Sequence, residues 1–286
     1  MTAVIPQAAR AFGPPLDELD GLHWAAGVTV TAFGVRLGVR VDDAELLPGI
    51  CRHLPPACRS LDSPAVDHLY SIRSSPPVHA TGASRFFQVY SGSERRAGTP
   101  NEACALAVLE AAVRFDLAMS ATRWTFVHAG AVGWNGRAII LPAECGHGKS
   151  RLVEALVRAG ATYYSDEFAV IDGRGRVHPF AKPISLRDDR GGRTITAEEI
   201  GGTTGTRPLP VGLIVATRHV PGAPWHPRAL SPGEALFALL PHTLRARTAP
   251  RQVLRALART AREARGLEGE RGEAGAVAPE LLRMLA

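Results

Sequence analysis

The stretch IILPAECGHGKSRL, Ile139–Leu152, decides how this chain is expected to fold. A short apolar run leads into a glycine-containing segment that ends in Gly148-Lys149-Ser150. This is the order of a Walker A phosphate-binding loop (P-loop), in which a strand delivers the chain to a sheet edge, backbone N–H groups surround an anion, and a helix begins at Lys-Ser. Ala143 stands where the Walker A pattern has its first glycine. Because alanine is the smallest residue with a Cβ, only a strictly positive φ would exclude it, and we predict a P-loop.

A P-loop assigns roles to the residues around it. Lys149 would reach the β- and γ-phosphates of a nucleotide, and Ser150 would ligate Mg²⁺, so ATP and Mg²⁺ are the expected cofactors. The only lysines in this arginine-rich chain are Lys149 and Lys182. Lysine is a compact point charge that can enter a phosphate cradle, whereas arginine is a broad planar fork. The residues predicted to bind the nucleotide are Glu144, Cys145, Gly146, His147, Gly148, Lys149, Ser150 and Arg151.

Two further features point to phosphoryl transfer. Asp166 and Glu167 follow an apolar run downstream of the predicted loop helix, and such a reaction needs carboxylates to hold Mg²⁺ or to take the proton from the attacking hydroxyl. Adjacent side chains on a strand point to opposite faces, but a turn at the strand end would let both serve one site. A solvated strand terminus is the alternative. His128, on the strand before the loop strand, could donate to phosphate or adjust the base; otherwise it is a hydrogen-bonded core histidine.

Three segments together resemble a known family. HAGAV, ILPAECGHGKS and LVRAGATYYSDEFAVI are similar to the catalytic domain of HPr kinase/phosphorylase proteins, and especially to the smaller HPr-kinase-like relatives. Some of those relatives are encoded with ribosomally made peptide natural products such as lasso peptides. The resemblance implies an α/β fold, with a PEP-carboxykinase-like P-loop catalytic domain preceded by a smaller α+β domain. The matching positions are His128, Gly146, Gly148, Lys149, Ser150, Gly160, Asp166 and Glu167.

The resemblance also implies residue roles. Asp166 would be the base toward the acceptor hydroxyl, and Glu167, where HPr kinases have a second Asp, would help Ser150 to hold Mg²⁺. Lys182 and Arg187 would contact phosphate or acceptor, unless they are ordinary surface charges. The arginine-bearing signature that bifunctional HPr kinases use toward HPr is not recognisable, which argues against HPr as the acceptor and against a phosphorylase activity. Family members form oligomers, which leaves a homo-oligomer open for this chain.

Length and patterning predict two domains in the 286 residues. Residues 1–120 are expected to form an α+β domain for acceptor recognition, and residues 121–286 the P-loop domain. The first would contain a hairpin or two strands over Gly27–Val41, a short helix capped by Asp42, and a helix over Asn101–Ala121. The elements expected in the second are strands over Phe126–Val132, Arg137–Leu141 and Gly212–Val220, a loop helix from Lys149 to Gly160, a helix with a Ser231/Glu234 capping box, and a basic helix over Arg251–Arg265.

Composition excludes several classes of function. The net charge of +6 comes mostly from arginines scattered along the chain without an interleaved aromatic stripe, so specific nucleic-acid binding is not expected. No apolar run reaches the roughly 18 residues of a membrane span, and the N-terminus lacks a signal-peptide pattern, so we expect a cytoplasmic protein without a membrane partner. The four cysteines form no CxxC pair, which predicts free thiols rather than a zinc site.

These observations predict a Mg-ATP-dependent kinase that transfers the γ-phosphoryl group to a hydroxyl. The expected acceptor is a Ser of a peptide or small protein, and the resemblance suggests natural-product biosynthesis. Two alternatives stay open: a kinase of small-molecule hydroxyls, and a nucleotide-binding regulatory protein without transfer activity. Ala143 and the glutamate at position 167 would favour the regulatory protein.

Overall fold

The computed structural model of the chain describes residues 16–75, 85–144, 146–188 and 191–286. Within these ranges the protein is of the mixed α/β class that the sequence predicts, with seven α-helices and several sheets. The chain divides into two compact units, Met1–Ser120 and Ala121–Ala286. This division falls at the residue where the sequence patterning places the domain boundary.

The first unit is built on a six-stranded sheet with the order β3-β1-β2-β4-β5-β6. The predicted hairpin is confirmed, because β1 and β2 pair antiparallel from Ala26↔Val41 to Ala32↔Val35. Among the described strands of this unit, only β2 and β4 pair in parallel. The elements are α1 (Leu16–Asp20), β1 (Ala26–Ala32), β2 (Val35–Val41), α2 (Leu47–Cys51), β3 (Arg59–Ser60), β4 (His68–Ser75), β5 (Phe86–Ser91), β6 (Glu94–Thr99) and α3 (Glu102–Ser120).

The long helix α3 covers one face of this sheet. Its buried residues recur at helical spacing, and the chain packs them against β5 and β6. The predicted cap is confirmed, since Asn101 Oδ1 accepts from the backbone N–H of Cys104 at 3.0 Å. The prediction that Asp42 caps the short helix is wrong. Asp43 accepts from Glu45 N instead, while Asp42 accepts from the backbone N–H of Ser74, because β2 extends to Val41 and brings Asp42 beside β4.

The second unit contains an eight-stranded sheet with the path β11-β10-β7-β8-β14-β16-β15, in which β9 also pairs with β7 and β11 with β14. Strands β8, β14 and β16 run parallel to one another. The elements are β7 (Thr125–Trp134), β8 (Arg137–Pro142), α4 (Lys149–Arg158), β9 (Thr162–Ser165), β10 (Phe168–Ile171), β11 (Arg176–His178), β12 (Ile184–Asp188), β13 (Gly191–Ile195), β14 (Leu209–His219), β15 (Arg228–Leu230), α5 (Pro232–Leu239), α6 (Pro250–Glu263), β16 (Arg265–Arg271) and α7 (Ala274–Arg283).

Helices cover both faces of the second sheet. Along β8, Ile139 and Leu141 join a buried cluster with residues of α4 and α7, whereas Ala138 and Ile140 join another with residues of α5 and α6. Alternate strand residues face opposite sides, so a continuous apolar run such as β8 is what a strand buried on both faces requires. This burial holds the end of β8, and therefore the predicted loop, at a fixed edge of the sheet.

The later elements confirm one prediction and correct another. Ser231 and Glu234 form the expected capping box: Ser231 Oγ accepts from Glu234 N at 3.3 Å, and the Glu234 carboxylate accepts from Ser231 N at 2.8 Å. The basic helix does not continue to Arg265. It ends at Glu263, and Arg265 begins β16, an interior strand that the sequence patterning missed. Gly266 permits that strand, since a Cβ there would lie 2.8 Å from Leu230 Cβ.

Candidate functional site

The segment between β8 and α4 has the backbone of a compact loop. Gly146 and Gly148 have φ of 91° and 78°, values that glycine adopts without strain. Ala143 is buried and is not among the described residues with positive φ, so alanine is compatible with this position. The helix begins at Lys149 as predicted, and Leu152 N donates to Gly148 O at 3.1 Å. Cys145 lies outside the described residues.

Lys149 and His128 face each other at the start of this helix. Lys149 Nζ lies 2.9 Å from His128 Nε2. Burial, and then the nearby Lys149 charge, lower the pKa of His128, so the imidazole is neutral near pH 7. Because a lysine ammonium can only donate, His128 Nε2 accepts and the ring proton resides on Nδ1. The close approach of α4 to β7 depends on Gly130, where a Cβ would lie 2.5 Å from Val153 Cγ2.

Asp166 is the most constrained carboxylate of the site. It is 4% exposed, and its Oδ2 accepts from Ser150 Oγ and from the backbone N–H of Ser185, both at 3.0 Å. Its Oδ1 is buried and has no hydrogen-bond partner within the described ranges. Burial raises the pKa of Asp166, and the opposing effects of Lys182, of both hydrogen bonds and of Lys149 do not offset it. A buried carboxyl oxygen that lacks a hydrogen-bond donor is suited to binding a cation.

Glu167 occupies a different position from its neighbour. Its Oε2 lies 3.4 Å from Lys182 Nζ, which also donates to Ser185 Oγ at 3.3 Å. The separation arises at Ser165, whose buried hydroxyl accepts from the backbone N–H groups of Glu167 and Phe168 at 3.0 and 2.9 Å. This turn ends β9 before the acidic pair, so the two carboxylates are not on opposite faces of one strand.

The structure brings together six of the predicted site residues: His128, Lys149, Ser150, Asp166, Glu167 and Lys182. The other predicted side chains have different partners. Glu144 Oε2 lies 3.8 Å from His147 Nε2, and Arg151 pairs with Glu154 at 3.5 Å. Arg187 belongs to β12, but its side chain is not among the described ones.

Sequence reasoning missed Arg271, the last residue of β16. The side chain is 1% exposed; its Nη2 donates to Gly148 O at 2.7 Å, and its Nη1 donates to Gly272 O at 2.9 Å. Burial lowers the pKa of the guanidinium. A Cβ on Gly148 would lie 2.6 Å from Arg271 Nη2, so the glycine is needed for this contact. A signal could have come only from recognising β16 as a strand.

The residues present fit a magnesium ion at Ser150 and Asp166. Among the described residues no group of three or more His, Cys, Asp or Glu side chains could hold a metal, so these residues do not form a closed protein cage. Mg²⁺ in phosphoryl-transfer sites is instead held by one or two protein oxygens together with phosphates and water. Ser150 Oγ and the unpartnered Asp166 Oδ1 are hard oxygen donors of the required kind.

Neither a protein-family model nor a curated protein matches this chain. Among the described helices, none combines the length and apolar character that crossing a membrane would require.

Proposed function

We propose that this chain is a Mg-ATP-dependent kinase that transfers the γ-phosphoryl group to a hydroxyl. The observation that carries the proposal is the contact between Ser150 and Asp166. It joins the first turn of α4 to the end of β9 and leaves one buried carboxylate oxygen available, beside the only lysine of the loop. A helix N-terminus, a lysine, a hydroxyl and a carboxylate in this order provide what a nucleoside triphosphate with Mg²⁺ needs.

Lys149 and the loop amides would hold the phosphates. The neutral state of His128 matters here, because an imidazolium 2.9 Å from the ammonium would repel it. His128 therefore positions Lys149 without reducing its positive charge. The positive end of the α4 dipole adds to the same potential.

Ser150 and Asp166 would hold the metal. Mg²⁺ supplies neutralisation of the charge on the β- and γ-phosphate oxygens. Asp166 contributes a carboxyl oxygen that the protein has already removed from water. A bound Mg²⁺ would give the buried Oδ1 of Asp166 a partner and so offset the cost of its desolvation.

Glu167 is then the carboxylate left to accept the proton of the acceptor hydroxyl. The contacts support this assignment, which exchanges the roles that the family resemblance implies for the two acids. Ser150 is hydrogen-bonded to Asp166, whereas Glu167 lies beside Lys182. Lys182 would neutralise charge that develops on the transferring group, as a cation does in phosphoryl-transfer sites.

The HPr-kinase-like relationship is part of the same proposal. It is supported by the neighbouring strands that carry His128 and the P-loop, and by the acidic pair placed after the strand that follows α4. On that basis a Ser of a peptide or small protein is the proposed acceptor.

Labelled ATP tests the function directly. The protein, Mg²⁺ and γ-labelled ATP are incubated with Ser-containing peptides, small proteins and simple alcohols, and the label is followed. Wild type should label a hydroxyl and the Lys149→Met variant should not. Label on alcohols alone identifies a small-molecule kinase. Binding of ATP without labelled acceptor and without release of labelled inorganic phosphate would favour a regulatory protein.

A further inference from the structure

A cleft of about 530 Å³ opens beside Gly148. The strand order places it on the far side of the loop from the proposed reaction centre. Strands β7 and β9, which carry His128 and lead to Asp166, lie on one side of β8, whereas β14 and β16, which end at His219 and Arg271, lie on the other. The P-loop therefore stands between the two places, and a linear ligand that crosses Gly148 would reach both.

Charged side chains of both signs line the cleft, together with alanine and glycine residues. Helix α4 contributes Arg151 and Glu154, and the turn after β16 contributes Glu273, whose carboxylate lies 3.4 Å from His219 Nε2. Carboxylates accept hydrogen bonds from hydroxyl groups, and arginines donate to acceptors or stack on flat rings. Such a lining suits a neutral ligand that combines hydroxyls with a planar polar ring. A volume of this size falls within the usual range of small-molecule sites.

Arg271 links the cleft to the loop. It lines the cleft, is almost fully buried and donates to Gly148 O, and its Nε is buried without a hydrogen-bond partner in the described part of the chain. A buried cation that is not paired with a carboxylate is expensive unless an anion or a set of carbonyls compensates it. Its position at the junction places positive charge where the phosphates of a bound nucleotide would leave the loop.

We propose that this cleft receives the nucleoside part of the phosphoryl donor, with the phosphates passing over Gly148 toward Lys149. This proposal rests on the proposed function, since it places the nucleoside of the same nucleotide whose phosphates Lys149 would bind. The sugar hydroxyls donate to the carboxylates of the cleft, and Arg271 fixes the loop between the two halves of the site. The acceptor is excluded from the cleft, because the carboxylates that would serve it lie across the loop.

Two glycines allow a matched test. Gly275 lines the cleft and is the second residue of α7; Gly233 is the second residue of α5, outside the cleft. A Cβ built on either meets no atom within 4 Å, so a side chain can leave the backbone at both positions without a clash at its first carbon. Gly275→Phe would fill the cleft, and Gly233→Phe is the control for loss of glycine at the same helical position.

Binding of Mg-ATP and of Mg-tripolyphosphate is measured by calorimetry for wild type and both variants. We expect Gly275→Phe to weaken ATP binding at least 10-fold and to leave tripolyphosphate binding unchanged, while Gly233→Phe changes neither. Retained tripolyphosphate binding also shows that the variant is folded with an intact loop. If Gly275→Phe does not fold, Glu273→Arg, at a side chain that is 84% exposed, is expected to give the same pattern.

Two results would overturn the inference. Unchanged ATP binding by the cleft-filling variant would show that the nucleoside lies elsewhere, and an equal loss of both ligands would show that the cleft acts only through the loop. Failure of the proposed function looks different: wild type would then bind neither ATP nor tripolyphosphate, or it would bind ATP and label no hydroxyl.

Discussion

Ser150 Oγ donates to Asp166 Oδ2 at 3.0 Å and so joins the first turn of the loop helix to the acidic turn that follows β9. The residues are 16 positions apart, and the contact exists because β9 returns alongside β7 after α4. It separates the two neighbouring carboxylates: Asp166 lies at the helix, and Glu167 lies at Lys182. Different consequences are therefore expected when each is neutralised.

Asp166→Asn should weaken Mg²⁺ binding, and Glu167→Gln should slow the phosphoryl-transfer step. For the first variant we expect the Mg²⁺ concentration that gives half-maximal nucleotide binding to rise about 10-fold or more, because a charge-assisted ligand is lost. For the second we expect Mg-ATP binding within about twofold of wild type and a kcat lower by about 10²–10⁴-fold, the usual contribution of a general base. Calorimetry at graded Mg²⁺ and steady-state transfer rates measure the two. The reverse pattern would restore the roles that the family resemblance implies.

The same Asp166→Asn substitution should stabilise the protein at neutral pH. The pKa of Asp166 is raised in the folded state, so folding favours the protonated form, and stability is lost as pH rises through the folded pKa. Removing the charge should increase the free energy of unfolding at pH 7 by about 1–3 kcal/mol, because a buried polar group without a hydrogen-bond partner costs about that much. Thermal unfolding without Mg²⁺ at pH 7 and at about pH 4 checks this. The gain should shrink at the lower pH; equal transition temperatures at pH 7 would show that Asp166 is not a strained charge.

His128 should make stability fall on the acid side. Its pKa is lowered in the folded state, so below the unfolded value of about 6.5 the unfolded chain binds a proton that the native protein excludes. The associated loss is at most about 2 kcal/mol at pH 5. His128→Gln removes it, so the difference in transition temperature between wild type and variant should change between pH 7.5 and pH 5. A pH-independent difference would mean that His128 is not held neutral.

Substitutions at the two loop glycines, Gly146 and Gly148, distinguish the cost of backbone strain from the cost of disturbing the Arg271 contact. Both have positive φ, but a Cβ on Gly146 meets open space, whereas one on Gly148 would lie 2.6 Å from Arg271 Nη2. Gly146→Ala should destabilise by about 1–2 kcal/mol through strain alone. Gly148→Ala should cost about 1–3 kcal/mol more, because Arg271 must move. Denaturant unfolding of both variants gives the comparison; equal costs would argue against a tight Arg271–Gly148 contact.

Local patterns predicted much of this structure. The hairpin of β1 and β2, the Asn101 and Ser231 caps, the start of α4 at Lys149 and the strand continuing past Gly212 all follow from alternation, capping and glycine placement. The spacing of the motifs also selected six residues that the fold does bring together. These features are local or depend on strands adjacent in the chain, and short-range chemistry specifies them.

The missed features depend on partners far along the chain. Strand β16 carries charged residues and two glycines, so neither alternation nor β-propensity marks it, and its place between β14 and β15 is fixed by packing that a pattern cannot show. Arg271 was missed for that reason, since its contact spans 123 residues to Gly148. Asp42 was misassigned as a cap because its hydrogen bond to Ser74 is likewise non-local.

The proposed function depends on the positive charge at residue 149, and nucleotide binding is the property that this charge should control. Mg-ATP binding is measured by calorimetry for wild type, Lys149→Met and Lys149→Arg, with the exposed Arg218→Met as a control for loss of charge on the neighbouring strand β14. We predict binding by wild type and the control, and a loss of about 10–100-fold in both Lys149 variants, because a charged hydrogen bond to phosphate is lost and arginine does not fit the cradle. No binding by wild type, or equal binding by wild type and Lys149→Met, would contradict the proposed role of Lys149.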